Sequence, residues 1–217
     1  TGERLAAFLR AGRSVISNHQ ELINNPSIGK KDLSGERVAA EALQIYADRQ
    51  GKSASMDPIS AQDQQLFDAQ IEALREVVDE HQKEIDAKGV GFKGFIPATF
   101  ARLVNERFEE KVGDRAKMKV TAPEGLVRNR KARPDAWEQR IIESKFLSAE
   151  WSKGQSFVEE VQTDGRSSFR MLIPEYYSAS CLACHGKPKG EIDISGYPKE
   201  GGAEGDLAGA ISITLFR

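Results

Sequence analysis

The chain has little of what covalent and charge-driven chemistry uses: two cysteines, three histidines and three methionines among 217 residues. It also has no surplus of one charge, since 31 Lys and Arg face 33 Asp and Glu, for a formal net charge of −2. That balance removes the electrostatic basis for a nucleic-acid partner, because phosphate neutralisation needs clustered excess positive charge. No apolar run approaches the ~20 residues that cross a bilayer; the longest covers 207–216. No charged-then-apolar leader follows Thr1, so the segment reads as a piece cut from a longer chain whose flanks carry any address. What is present is a composition of 39% hydrophobic and 29% charged residues, which suits a soluble globular chain with a real core.

Both cysteines fall in one motif, Cys181-Leu182-Ala183-Cys184-His185, the C-x-x-C-H pattern of covalent haem c attachment. The spacing lets two thiols reach the vinyl groups on one porphyrin edge while the next residue offers an imidazole nitrogen to the iron. Three plainer readings compete. A disulfide oxidoreductase needs the motif at a helix start within a βαβ unit, and no such unit precedes Cys181. A zinc site needs a second ligand pair, and only His19 and His81 remain, both far upstream. A structural disulfide across so short a loop would constrain very little of the unfolded chain. The motif therefore predicts one covalent haem c on Cys181 and Cys184, with His185 as proximal iron ligand.

Hydrophobic periodicity predicts helices first and strands later. Leu5, Phe8, Leu9, Gly12, Ile16, His19 and Ile23 repeat at three and four, one face of a helix over 4–23 that puts His19 on the buried stripe. Ser34 suits the cap of a second helix reaching about residue 50, and Gly51 and Pro58 bracket a loop. Ser60 and Asp63 resemble a capping box before a long helix whose stripe reads Phe67, Ile71, Leu74, Val78, His81 and Ile85. Pro97 suits the first turn of a helix carrying Phe100, Leu103, Val104 and Phe108 and ending at Gly113. A further helix from about Pro134 carries Trp137, Ile141 and Phe146. Strands are predicted over 117–122, 155–163 and 166–173, the last two joined by the hairpin signal Asp164-Gly165, and over 211–215, whose strict alternation suits a half-buried strand. The glycine-rich stretch 186–206 reads as irregular loop. Helices followed by strands, without alternation, predict an α+β fold with an antiparallel sheet.

Four stretches together carry a family likeness: Gly89 to Phe100 (GVGFKGFIPATF), Val127 to Glu138 (VRNRKARPDAWE), Ser180 to Gly186 (SCLACHG) and Gly205 to Ser212 (GDLAGAIS). They resemble the extracytoplasmic c-type haem-binding domains of PAS-like fold, a family found alone and as the sensor part of bacterial membrane receptors. The likeness covers about residues 60–217, and the residues before it resemble the helical lead-in of receptor members. It implies a helical lead-in over 1–58 and, over 59–217, a PAS-like haem c domain whose antiparallel sheet is flanked by helices. It also implies a periplasmic or other extracytoplasmic location, with the full-length protein tethered to the membrane. In stand-alone members a cysteine just before the Pro-containing helix supplies the second axial ligand, whereas this chain has Phe92-Lys93 there.

The sixth iron ligand is thus open among His19, His81, Lys93, the methionines Met171, Met56 and Met118, and no protein ligand at all. Each has a plain alternative: a hydrogen-bonded core histidine, a solvated lysine, a gap-filling methionine. An open site would have a distal pocket walled by Phe92, Phe95 and Phe100, residues that core packing explains equally well. Arg128, Arg130 and Arg133 crowd one loop; Arg128 and Arg133 suit haem propionates, with solvated surface charge as the alternative. The function expected is a sensor domain without enzymatic activity. In it, iron ligation would respond to redox state or a diatomic gas and signal to a receptor output domain. A soluble electron-transfer cytochrome with a redox partner is the alternative, followed by a haem enzyme, which would need a distal acid or base that the sequence does not place. The N-terminal helices could pair across a homodimer or form ordinary core.

Overall fold

The computed structural model describes residues 1–50, 60–163 and 165–217. The expected loop at Gly51 and Pro58, the candidate ligand Met56, the domain boundary at 58/59 and the turn residue Asp164 lie outside the described residues. The chain divides into two compact units, Thr1–Asp114 and Arg115–Arg217.

The first unit is helical: α1 (Gly2–Asn18), α2 (Gln20–Ile23), α3 (Gly35–Gln50), α4 (Ala61–Glu80), α5 (Gln82–Ile85) and α6 (Pro97–Val112). The expected starts and stops are present. Ser34 Oγ accepts from the Arg37 N–H, Ser60 Oγ accepts from the Asp63 N–H, Pro97 opens α6 and Gly113, at φ +59°, ends it. Leu5, Phe8, Leu9, Val15 and Ile16 of α1 are fully buried, as the periodicity requires. Phe8, Tyr46 and Phe67 form a ring cluster with centroids 5.2–6.3 Å apart. Gly35 marks the closest approach: a Cβ there would lie 2.2 Å from the Arg75 carbonyl oxygen, and the Gly35 N–H donates to Asp79 Oδ1 at 2.7 Å. Only glycine lets the start of α3 meet the backbone of α4 this way.

Two expectations for this unit need correction. The stripe of α4 is centred on Leu66, Gln70, Ala73, Leu74, Val77 and Val78, leaving Phe67 and Ile71 half-exposed. Gln70 is fully buried and donates from Nε2 to the Leu5 carbonyl, a partner that only the packed neighbour helix provides. The helices predicted over 4–23 and through 85 also each break at a histidine. His19 (φ −95°, ψ 7°) and His81 (φ −95°, ψ 9°) cap one helix and open a single further turn that ends in a buried Ile, Ile23 and Ile85.

The second unit is built on one four-stranded antiparallel sheet in the order β1-β4-β3-β2, with β1 (Ala116–Thr121), β2 (Phe157–Thr163), β3 (Arg166–Tyr176) and β4 (Leu207–Phe216). The protein is therefore α+β, as expected. Helix α7 (Ala136–Ile141) and the π turn Ile142–Phe146 pack on one sheet face, where Ile141, Ile142, Phe146, Leu172 and Ala210 form a buried cluster. A capping box at Asp135 and Glu138 starts α7. The β4 strand is not half-buried. Ile211 and Ile213 on one face and Ser212 and Thr214 on the other are all buried, because β4 is an interior strand paired on both edges. Its hydroxyl-bearing residues made the sequence look like a strand with one wet face.

Candidate functional site

The second unit brings the C-x-x-C-H motif together at the end of β3. Tyr177 follows the strand and is tied into a small ladder with the approach to β4: its N–H donates to the Asp206 carbonyl and its carbonyl accepts from the Gly205 N–H. A 3₁₀ turn, Ala179–Cys181, then runs into the single helical turn α8 (Leu182–His185). Both cysteines are half-buried and neither forms a disulfide. Three residues apart on a helical turn, their side chains share one face. Cys181 Sγ lies 3.3 Å from Ser178 Oγ. Burial, helped by the charge of Asp193, pushes the Cys184 thiol up.

The loop expected over 186–206 is irregular but tightly organised, and its job in the fold is to return to His185. Gly190, Lys199 and Glu191 exchange backbone hydrogen bonds, and Ile192 bridges Pro198. Gly201 and Gly202 then donate to the carbonyls of Gly186 and His185. A Cβ on Gly202 would lie 2.6 Å from the Tyr177 ring, so glycine is required where the returning strand passes the aromatic ring. Tyr177 in turn stacks on His185, with ring centroids 5.2 Å apart and planes 24° from parallel. Burial pushes the Tyr177 phenol up to about 12, so it stays a neutral hydroxyl at ordinary pH.

Arg128 is the hub of this loop. Its guanidinium donates to Glu200 Oε1 and Oε2 at 2.7 and 3.0 Å, to Asp193 Oδ2 at 2.6 Å and to the Cys184 carbonyl at 2.9 Å. The Asp193 side chain is completely buried; its Oδ1 accepts from the Ser195 N–H, the Ser195 hydroxyl and the Tyr197 N–H. Burial alone would raise this carboxyl, but those donors and Arg128 hold it well below the usual carboxylate range. Burial likewise opposes ionisation of Glu200, and hydrogen bonds from Arg128 and His185 outweigh it. The last of these contacts sets the imidazole: His185 Nδ1 lies 2.8 Å from Glu200 Oε2.

This donor set fits a covalent haem c on chemical grounds. Two unpaired thiols on one face of a helical turn are followed at once by an imidazole whose Nδ1 is committed to a carboxylate, which leaves Nε2 as the nitrogen for a metal. Among the described residues no group of three or more His, Cys, Asp or Glu is arranged to hold a metal ion by itself.

The structure gathers Cys181, Cys184, His185 and Arg128 in one place. Arg128 has two carboxylate partners, Glu200 and Asp193, and holds the loop through them. Arg133 is exposed, with its carbonyl accepting from Lys119 Nζ. Met171 lies half-buried on β3, opposite Ile213, and Met118 is buried on β1. The other candidates belong to the helical unit. His19 is half-buried, with Nε2 2.7 Å from Glu41 Oε2, and His81 donates from Nδ1 to the Val77 carbonyl. His81, Phe95 and Phe100 form a ring series with centroids 5.4 and 6.1 Å apart, and Phe100 reaches the core at Gly12 of α1. Phe92 is half-buried. Lys93 Nζ donates to the Val90 carbonyl, and burial together with the charge of Lys31 pulls its ammonium below the ordinary lysine value. Glu200, Asp193 and Tyr177 were invisible to sequence reasoning. They lie outside the motif, and no local pattern marks a carboxylate that reaches back fifteen residues to a histidine.

Among the described residues, no helix is long and apolar enough to cross a membrane. No curated protein and no solved structure matches the chain. A family model does match, over residues 35–215, a span that takes in the helices from α3 onward, the sheet up to Leu215, the cysteine motif and its returning loop. The chain belongs to the Tll0287-like family.

Proposed function

We propose that this protein is a monohaem c-type sensor domain of the periplasm or an equivalent extracytoplasmic compartment. One observation carries the reading: two cysteines that form no disulfide and an imidazole held by its Nδ1 lie together where the 3₁₀ turn ending at Cys181 runs into the helical turn Leu182–His185. Thioether bonds from Cys181 and Cys184 would hold the haem and His185 Nε2 would ligate its iron; when bound, the group supplies a one-electron couple and a coordination position. The chain's own residues do the rest. Arg128 ties the Cys184 carbonyl to the loop that carries Glu200, so the motif and its returning strand form one hydrogen-bonded body. That body is continuous with β3 and β4, and β1 pairs along its length with β4. Only the short turn Gly113–Arg115 separates β1 from α6 along the chain, so the sheet that carries the motif is covalently continuous with the last helix before it. Signalling along it requires that the stimulus bind two conformations unequally.

The test is the visible spectrum of protein matured with a haem c assembly system, reduced with dithionite and then exposed to carbon monoxide. Absence of a thioether-linked haem spectrum refutes the reading. A low-spin spectrum untouched by carbon monoxide means two strong protein ligands and supports redox sensing or electron transfer. A large shift means an open or displaceable position and supports gas sensing.

A further inference from the structure

The least expected feature of the motif is the partner of His185. A histidine that binds metal through Nε2 must carry its proton on Nδ1, and the acceptor for that proton tunes how strongly Nε2 donates electrons. Here the acceptor is a carboxylate brought from the far end of the glycine-rich loop, Glu200 Oε2 at 2.8 Å.

The geometry is over-determined. Glu200 has a side chain only 14% exposed, and Arg128 grips both of its oxygens, at 2.7 and 3.0 Å. Arg128 is held in turn by fully buried Asp193 at 2.6 Å. The imidazole cannot swing away freely, because the Tyr177 ring is stacked on it and the Gly202 N–H anchors the His185 carbonyl at 2.8 Å. A surface carboxylate that met the ring by chance would have none of these supports.

We infer that Glu200 is a positioning residue for the haem iron: its carboxylate accepts a hydrogen bond from the His185 Nδ1–H, fixes the ring plane and makes Nε2 a stronger donor, which favours the ferric over the ferrous state. Arg128 sets the position of Glu200 and disperses its charge. This inference rests on the haem c reading and deepens it, since it points to a low-potential couple as the property the site is built to hold.

The experiment is spectroelectrochemical titration of the haem-loaded protein and of Glu200→Gln, which keeps the shape of the side chain and removes the charge. Outer-shell partners of a metal-bound histidine are worth roughly 10–100-fold in metal affinity or activity, and a comparable change in ferric preference is expected here. At the lower end, a tenfold loss of ferric preference raises the potential by about 59 mV for a one-electron couple. Glu200→Asp, which keeps the charge but retracts it by one methylene, is expected to fall between. An unchanged potential in Glu200→Gln with haem still covalently attached overturns the inference. Lack of haem in the unmodified protein instead overturns the haem c reading, so the two failures are distinct. If neither variant matures, the reduced low-spin unmodified protein decides by nuclear magnetic resonance of isotope-labelled histidine. A His185 Nδ1 proton that is downfield and protected from exchange supports the carboxylate bond, and a rapidly exchanging one refutes it.

Discussion

Replacing Asp193 with Asn tests whether the loop around the cysteine motif is held from within. In the native arrangement Oδ1 accepts from the Ser195 N–H at 2.8 Å, the Ser195 hydroxyl at 2.6 Å and the Tyr197 N–H at 3.2 Å. Oδ2 faces Arg128 Nη1 at 2.6 Å. Asparagine can keep the three bonds to its carbonyl only by turning its NH₂ toward Arg128, which sets a donor against a donor. The lost charge-assisted hydrogen bond is worth about 1.5–3 kcal/mol. Removing one partner of a buried pair costs about 3–5 kcal/mol when the other charge is left alone. Arg128 keeps Glu200, so the expected loss is near the lower figure, about 3 kcal/mol, or on the order of 10 °C in Tm. The assay is urea unfolding followed by tryptophan fluorescence, with Ser195→Ala as a milder comparison expected to cost about 1 kcal/mol. A loss below about 1 kcal/mol in Asp193→Asn, with the denaturant slope unchanged, would refute the view that this carboxylate organises the loop.

Three further outcomes are expected. Gly35→Ala must push α3 off α4, because its methyl would lie 2.2 Å from a backbone oxygen that cannot rotate away; thermal unfolding should show a loss of about 2 kcal/mol or more, and an unchanged Tm would mean that the helices separate at no cost. Asp135→Ala removes the acceptor for the Glu138 N–H at 2.9 Å and for Arg170 at 2.7 Å, with an expected loss of about 1–2 kcal/mol by chemical denaturation. Asp193 and Asp135 both have carboxyls held below their ordinary value, so the stability they confer is present above the unfolded Asp range near 3.9 and is lost as pH falls below it. Glu200 and Glu76 are held down as well, so unfolding free energies measured from pH 6 downward should be level until about pH 5 and then decline, and Asp193→Asn should flatten the part of the decline below about pH 4; a mutant as acid-sensitive as the parent would count against the assignment.

Much of the architecture was legible in the sequence because the signals are local. Ser34, Ser60, Pro97 and Gly113 bound their helices through backbone groups within a few residues, where side-chain chemistry alone decides. The failures share a different cause. Gln70 is core because the Leu5 carbonyl meets it, and Ser212 and Thr214 are buried because β4 has strands on both edges. In each case a neighbour distant in sequence overrode the local pattern. The helix breaks at His19 and His81 were missed because hydrophobic spacing continues across them and only backbone geometry records the turn.

The division is sharpest at the site. The sequence by itself determined which atoms are available: two thiols three residues apart and an imidazole directly after them, a spacing that exists in the covalent chain before any folding. Tertiary structure alone decided what surrounds them. Glu200 reaches His185, Tyr177 stacks on it and Arg128 joins Asp193, Glu200 and the Cys184 carbonyl, all through a loop whose glycines allow the return. Which donor atoms stand side by side is a property of neighbouring residues along the chain. The orientation of the ring and the charge beside it are properties of contacts in space, and no periodicity encodes those.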